Sequence, residues 1–365
     1  MNSFITTLYP SVDLIDSVVF KDTNSEENIY FSKPFLKAFE ISNPQIEFKY
    51  ISISDADKNT LALALVQVIS LNVEGMLKNI KVAPLVRKGL GLLFCNEHIK
   101  IMFCGNVFLS GEHGISTAET SSKKDIYSEI GTALDAVAAN TKPMHAIFIK
   151  DFKLASLVHT QAFLNFGYSE IKVEPNMIIQ LKPEWKTFED YKNILKSKYR
   201  VKANKADSKS STLETRLFSD QDLETYKHEL QALYQNTIDK ASFNAQVLNL
   251  DTYSHLSASL KDNFIVKGYF LENRLVGFLT ALVNDNKLDA HFIGLDYELN
   301  KSHAIYPRIL NDYIRIGIEK QVDSINLGRT ASEIKTTIGA NPLELSCYIK
   351  HKNPFLNSLV KPFLR

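Results

Sequence analysis

Apolar positions recur along the chain at two periods, and the switches between them mark out its elements. In the first half, residues 45–53 and 61–73 are rich in β-branched side chains and read as neighbouring strands joined by the polar turn 54–60. Residues 29–32 read as a short strand, and 34–40 as a helix that can open on Pro34. Residues 100–110 read as a strand running into a glycine-bounded loop. Ile126, Ile130, Leu134 and Val137 then fall on one helical face. A strand at 145–149, a helix at 153–166 ended by Gly167, and a strand at 177–181 close this half.

Pro183-Glu184-Trp185 marks a boundary, which gives domains 1–182 and 183–365. A helix starts near Thr187 and runs into the lysine-rich stretch 196–209. A strand at 213–218, a long helix at 220–240 and a helix at 251–260 come next. Strands at 264–271 and 275–283 are joined by the tight polar turn Glu272-Asn273-Arg274, and a third strand covers 288–296. A loop, 297–306, leads to Pro307 at the start of a helix whose Ile305, Ile309, Tyr313 and Ile316 have core spacing. Residues 322–327 alternate as a half-buried strand, and Gly328 allows a sharp turn. Thr330-Ala331-Ser332-Glu333 reads as a capping box, and the short helix after it stops at Gly339.

Length supports the two-domain reading, because 365 residues exceed what one core usually serves. Lysine and arginine number 42 against 41 acidic residues, so no global field favours nucleic acid, although a local patch is open to it. Cys95, Cys104 and Cys347 show no metal-ligand spacing and read as reduced thiols. No metal is expected. The first residues lack a signal-peptide pattern and no apolar run spans a bilayer, which points to a cytoplasmic protein.

Candidate chemistry concentrates in the second half. With period two, Asp289, His291 and Ile293 share one face of their strand, and Leu288, Ala290, Phe292 and Gly294 the other. A histidine oriented by a carboxylate can take a proton from an attacking amine, and a strand histidine can equally be a packed core residue. Arg329 sits at the strand–helix elbow where substrate can approach, and Lys335 and Glu333 lie on the helix beyond it. Glu333 is also the capping residue of that helix. In the first half, glycines around Glu112 and His113 allow close approach to a ligand or form a tight turn.

Gly294-Leu295-Asp296, a loop, a long helix and then INLGRTASEIKTTIGA resemble the C-terminal half of GNAT-fold acyltransferases, in the BioF2-like and FemAB-like branch with two domains in tandem. The run CGNVFLSGEHG resembles a strand and loop of the first FemAB-like domain, and the lysine-rich helix resembles the one that follows that domain. The resemblance implies an α/β (α+β) chain of two tandem GNAT-like domains, each a mixed, mostly antiparallel sheet flanked by helices. It implies an N-acyltransferase that moves an acyl group from acyl-CoA or an acyl-carrier-protein thioester to an amine. Asp289 and His291 would supply the base, and the backbone of Phe292–Gly294 the oxyanion donor. Arg329, Tyr306, Lys335, Glu333, Glu112 and His113 would meet substrate, and Ser302 and Arg308 the phosphates of the donor. The loop DYELNKSHAIYPR carries none of the glycines of the usual CoA loop. The alternatives are an aminoacyl-tRNA-dependent transferase and a non-catalytic binding module. The apolar-basic insertion 75–94 and the tail from 351 suit a peripheral membrane contact or packing on protein. Donor, acceptor and oligomeric state stay open.

Overall fold

The structure is a computed structural model that describes residues 4–23, 28–72, 98–119, 123–241 and 244–352. The insertion at 75–94, Cys95 and the tail beyond 352 lie outside the described residues. In chain order the first elements are β1 (Ile5–Tyr9), α1 (Ser17–Asp22), α2 (Lys33–Ser42), β2 (Glu47–Ser54), β3 (Thr60–Asn72), β4 (His98–Cys104) and β5 (Ile115–Thr117). Then come α3 (Lys123–Asn140), β6 (Ala146–Lys153), α4 (Leu157–Thr160) and β7 (Ser169–Gln180). The second half adds α5 (Phe188–Ile194), α6 (Ser197–Lys209), β8 (Glu214–Leu217), α7 (Asp220–Thr225), α8 (Lys227–Lys240) and α9 (Asp251–Leu260). It ends with β9 (Phe264–Leu271), β10 (Arg274–Asn284), β11 (Lys287–Leu295), α10 (Tyr297–His303), α11 (Ile305–Glu319), β12 (Ser324–Asn326), α12 (Ser332–Thr336) and β13 (Asn341–His351).

The chain folds into two compact units. One comprises the described residues of 1–173 and 242–248 and those from 344 onward, and the other comprises 174–241 and 249–343. The sequence reading drew one cut, at 182/183. The units depart from it because β13 leaves the second half and pairs antiparallel with β6, from Leu345↔Lys153 to His351↔Ala146. Likewise β7 begins among first-unit residues, and its Ile178–Gln180 pair with β12.

The first unit orders its strands β1-β2-β3-β4-β6-β13, with β5 beside β3; β4 and β6 are parallel and the other pairings are antiparallel. The apolar face of α3 (Ile126, Ile130, Leu134, Val137) packs on this sheet with Val66, Met102, Ile147 and Tyr348. The second unit orders its strands β7-β12-β11-β10-β9-β8, with β11 and β12 parallel. Its core joins Ile305, Ile309, Tyr313 and Ile316 of α11 to Leu279, Leu288 and Ile325 of the sheet. Each unit is thus a mixed, mostly antiparallel sheet flanked by helices, as the sequence suggests.

Several local expectations change. Residues 29–31 form a 3₁₀ turn rather than a strand, capped by Asn28, whose side chain accepts from the Tyr30 N–H. The expected loop 297–306 contains α10, because the Asp296 carboxylate accepts from the N–H groups of Glu298 and Leu299 and starts a helix. The long helix at 220–240 breaks at Tyr226 into α7 and α8. Strand 100–110 ends at Cys104, where Gly105 turns the chain with φ 127°. True capping boxes sit at Thr187/Asp190 and Ser219/Asp222. None forms at Thr330: Thr330 and Ala331 both take left-handed backbone (φ 63° and 48°), so the cap falls on Ala331, which has no side-chain acceptor.

Candidate functional site

The site of the second unit begins with a mismatch in strand length. β12 pairs with β11 at Lys287↔Ser324, Leu288↔Ile325 and Asp289↔Asn326 and stops, while β11 continues to Leu295. Beyond Asp289 the β12-facing edge of β11 therefore leaves its ladder, as two splayed parallel strands do. Main-chain groups along such an edge can pair with an extended ligand.

The opposite edge of β11 stays paired with β10, but with a bulge. Leu279 and Ala281 of β10 face Ile293 and Ala290, so His291 and Phe292 together oppose Thr280. The buried Thr280 hydroxyl fills the gap, accepting from the Phe292 N–H (3.0 Å) and donating to the Phe292 carbonyl (2.9 Å). The Thr280 carbonyl in turn accepts from the Tyr313 hydroxyl at 3.0 Å.

The bulge shifts the side-chain alternation that the sequence suggests. Ile293 stays in register with Ala290 and Leu288 and joins the core on the α11 side. Phe292 and Gly294 come to the Asp289 face instead. Phe292 meets the Tyr234 ring of α8 at 5.1 Å, and a Cβ on Gly294 would lie 2.7 Å from the backbone of Leu233 and Tyr234. Gly294 is therefore small because a helix crosses it, and the Phe292 amide is taken by Thr280, which removes Phe292 as a backbone donor to ligand. The half-buried His291 stands against the rings of Phe292 (4.3 Å) and Tyr253 (6.3 Å).

At the apex of the splay the Asn326 amide donates to Asp289 Oδ1 (2.7 Å), and Asn326 Oδ1 accepts from the Gly328 N–H (3.0 Å). Asn326 was missed in the sequence. Its signal is the Asn-x-Gly spacing, in which the side chain closes an Asx turn. The elbow beyond is held from within. Lys335 is 5% exposed, and its ammonium donates to the carbonyls of Gly328 and Arg329. Burial pulls its pKa down to about 8 against the opposing pull of Glu174. Lys335 thus braces the turn that presents the half-buried Arg329, while Glu333 is exposed.

The start of α11 is already occupied. Ala304 turns into it with φ 49°, the Tyr306 N–H donates to Asn300 Oδ1 (2.8 Å), and Pro307 has no N–H. Few of the orphan donors that make a helix start an anion site remain. Burial pushes the Tyr306 hydroxyl up to about 12. Ser302 donates to the Leu299 carbonyl, and Arg308 donates to Asp312 at 2.9 Å. Asp312 is fully buried, and Lys267 (2.9 Å) and Arg315 (2.6 Å) also reach it. Burial raises its pKa, yet Lys267 and Arg308, then Arg315, hold it below the ordinary carboxylate value. Arg308 is thereby a member of a buried ion cluster.

Beside this helix start, α6, α10, α11 and α12 enclose a cleft of about 490 Å³. Ala203, Ala206, Leu310 and Ile338 contribute apolar lining, and Lys202, Lys205, Lys209, Lys301 and Glu333 the charges. In the first unit, Glu112 accepts from the Lys153 N–H (3.2 Å) and the His113 ring lies 4.1 Å from Tyr30. Gly111 donates to the buried Asp151. These contacts tie the 105–114 loop to its own unit.

No family model matches this sequence, and no curated protein is similar to it. Solved structures are. FemX superposes with TM-score 0.59 at 10% identity over 95% of this chain and 99% of FemX. A tandem GNAT protein from the clavulanic acid biosynthesis pathway gives 0.54 at 7% identity over 96% and 99%. The C-terminal domain of a putative lysylphosphatidylglycerol synthetase from Agrobacterium fabrum gives 0.53 at 9% identity over 94% and 95%. The chain has the fold of these structures, a tandem GNAT protein among them.

Proposed function

We propose that this protein transfers an acyl or aminoacyl group from an activated ester or thioester to an amine, at the open edge of β11 in the second unit. The observation that carries the reading is that β11 runs from Ala290 to Leu295 past its last pairing with β12, while on its β10 side a Thr280-filled bulge sets His291 beside Tyr253. An extended donor lies along the edge through main-chain hydrogen bonds. The amine nitrogen attacks the acyl carbon, the C–N bond forms, and the bond to sulfur or ester oxygen breaks. His291 takes the proton lost by the amine. N–H groups of β11 that point to the vacated side meet the oxyanion. Arg329, on the elbow braced by Lys335, positions the acceptor.

A second reading narrows the donor to an aminoacyl ester on RNA. It is favoured by the start of α11, where Asn300 and Pro307 leave little backbone for the pyrophosphate of CoA. Of the similar structures, the putative lysylphosphatidylglycerol synthetase domain carries an aminoacyl group in its name and supports an aminoacyl donor in kind.

Turnover with radiolabelled acetyl-CoA and with radiolabelled aminoacyl-tRNA, using a mixture of amine acceptors, tests the proposal. One donor should be consumed in an acceptor-dependent way. His291→Gln should lower kcat by roughly 10²–10⁴ with the fold retained by circular dichroism. Full activity in that variant would remove His291 from the reaction.

A further inference from the structure

One end of the first unit's sheet carries a row of basic residues. The His145 N–H donates to the Lys100 carbonyl (3.0 Å), and the Lys352 N–H donates to the His145 carbonyl (2.8 Å). Lys100 at the start of β4, His145 just before β6 and Lys352 just past β13 are therefore neighbours across three adjacent strands. His351 pairs with Ala146 one rung inward, and the exposed Lys142 lies on the turn from α3 into β6. Among the described residues, Lys100, Lys142 and Lys352 join no ion pair. Of the acids on neighbouring elements, Asp135 of α3 holds Lys350 (2.7 Å) and Glu47 of β2 pairs with Lys49 (2.7 Å). Like charges on adjacent strands repel, so such a row is a cost that an anionic partner relieves.

Apolar groups at the same end narrow the partner. Val247 is 39% exposed, and the amide of its neighbour Gln246 donates to the carbonyl of Ser70, the ladder partner of Lys100 (3.5 Å). Asn72 and His98 are a ladder pair of β3 and β4, so the connection 73–97 starts and finishes at this end, and β13 leads from it into 353–365. In sequence both stretches set basic residues among large apolar ones: Lys78, Lys81, Arg87 and Lys88 in the first, Lys361 and Arg365 in the second. An anionic bilayer surface offers phosphate and hydrocarbon together, and so answers both kinds of group. A nucleic acid answers the lysines but stacks on aromatic rings rather than on valine and leucine.

We infer that this end of the first unit docks on the surface of an anionic lipid bilayer, with Lys100, Lys142 and Lys352 at the headgroup phosphates. The docking residues belong to the first unit and those of the proposed transfer to the second. Docking therefore holds whichever donor the reaction uses.

The test is flotation of the full chain with vesicles of phosphatidylcholine and of phosphatidylcholine mixed with phosphatidylglycerol, at low and at high salt. The chain should float with the mixed vesicles at low salt and stay behind with pure phosphatidylcholine. The combined Lys100→Gln, Lys142→Gln, Lys352→Gln variant should bind the mixed vesicles at least about tenfold more weakly. A control, Lys58→Gln, Lys123→Gln, Lys124→Gln, removes the same charge from the β2–β3 turn and the start of α3, at the opposite end of this sheet, and should bind as the wild type does. Acetylation footprinting of the wild type covers the case in which the first variant fails to fold. On mixed vesicles Lys100, Lys142 and Lys352 should react several-fold more slowly, and Lys58 and Lys124 at an unchanged rate. Equal binding by the two variants overturns the inference, as does an absence of flotation with the mixed vesicles. A fluorescein-labelled RNA hairpin that binds through the same three lysines while vesicles do not would overturn it too, and assign the face to nucleic acid. Binding is read without turnover, so a silent transfer assay leaves the docking standing, and a failure to float leaves the reaction untouched.

Discussion

Thr280 shows how much of the site rests on one hydroxyl. By satisfying both backbone groups of Phe292 it allows two β11 residues to sit opposite one, and this sends Ile293 into the core and leaves His291 beside Tyr253. A strict period of two cannot foresee that shift, because the cause lies on another strand. Asp289 and His291 were legible as candidates; the partner of Asp289, Asn326, became visible only once β11 and β12 were paired. Lys335 was legible as a charged residue after the elbow but not as a buried one, since its ammonium is held by the main-chain carbonyls of Gly328 and Arg329, which no sequence pattern marks. Its folded pKa of about 8 lies below the unfolded value, so the cost of burying the charge is fully present below pH 8 and is relieved between 8 and about 10.5. Urea unfolding of wild type and Lys335→Met across pH 7 to 10 should show the difference moving in favour of the wild type as pH rises, by up to about 3 kcal/mol. A difference that stays flat over that range would contradict a buried ammonium.

Among the elements, β13 has the largest consequence and was absent from the sequence reading. Its polar start, Asn341-Pro342-Leu343-Glu344, hides the strand, and its inward residues declare themselves only against β6. Leu345, Cys347 and Tyr348 are buried there, and the Tyr348 ring packs on Phe152 and Phe163 while its hydroxyl meets Thr160. Two fully buried large side chains contribute about 3–6 kcal/mol, a large part of the 5–15 kcal/mol that holds a typical domain together. A chain ending at Ala340 should therefore lose structure in its first unit, at the far end of the sequence. Limited proteolysis read by mass spectrometry should show new cleavage in β6 and α3, and an unchanged cleavage pattern would contradict the strand assignment. By contrast, α3 and α11 were readable in advance because their apolar residues recur at helical spacing, and the β9–β10 hairpin because two apolar runs flank the polar turn Glu272-Asn273-Arg274.

For the whole molecule, alternating strands and amphipathic helices gave the class, and length with the family resemblance the tandem organisation, whereas contiguity in sequence misled on the units. A cut at Pro183 is natural for a reader of composition, yet β7 and β13 each carry the chain from one unit to the other. The similar solved structures support the fold at 7–10% identity, a level at which sequence patterns for substrate have faded. In the proposed reaction substrate lies along the open edge of β11. Amide hydrogen exchange, with a thioether analogue of acetyl-CoA and with an RNA minihelix carrying an amide-linked amino acid, tests it most directly. At saturation one of the two ligands should slow exchange within 290–295 while leaving 287–289, already paired with β12, unchanged. A ligand that saturates and protects other segments, with exchange in 290–295 unaltered, would contradict the account.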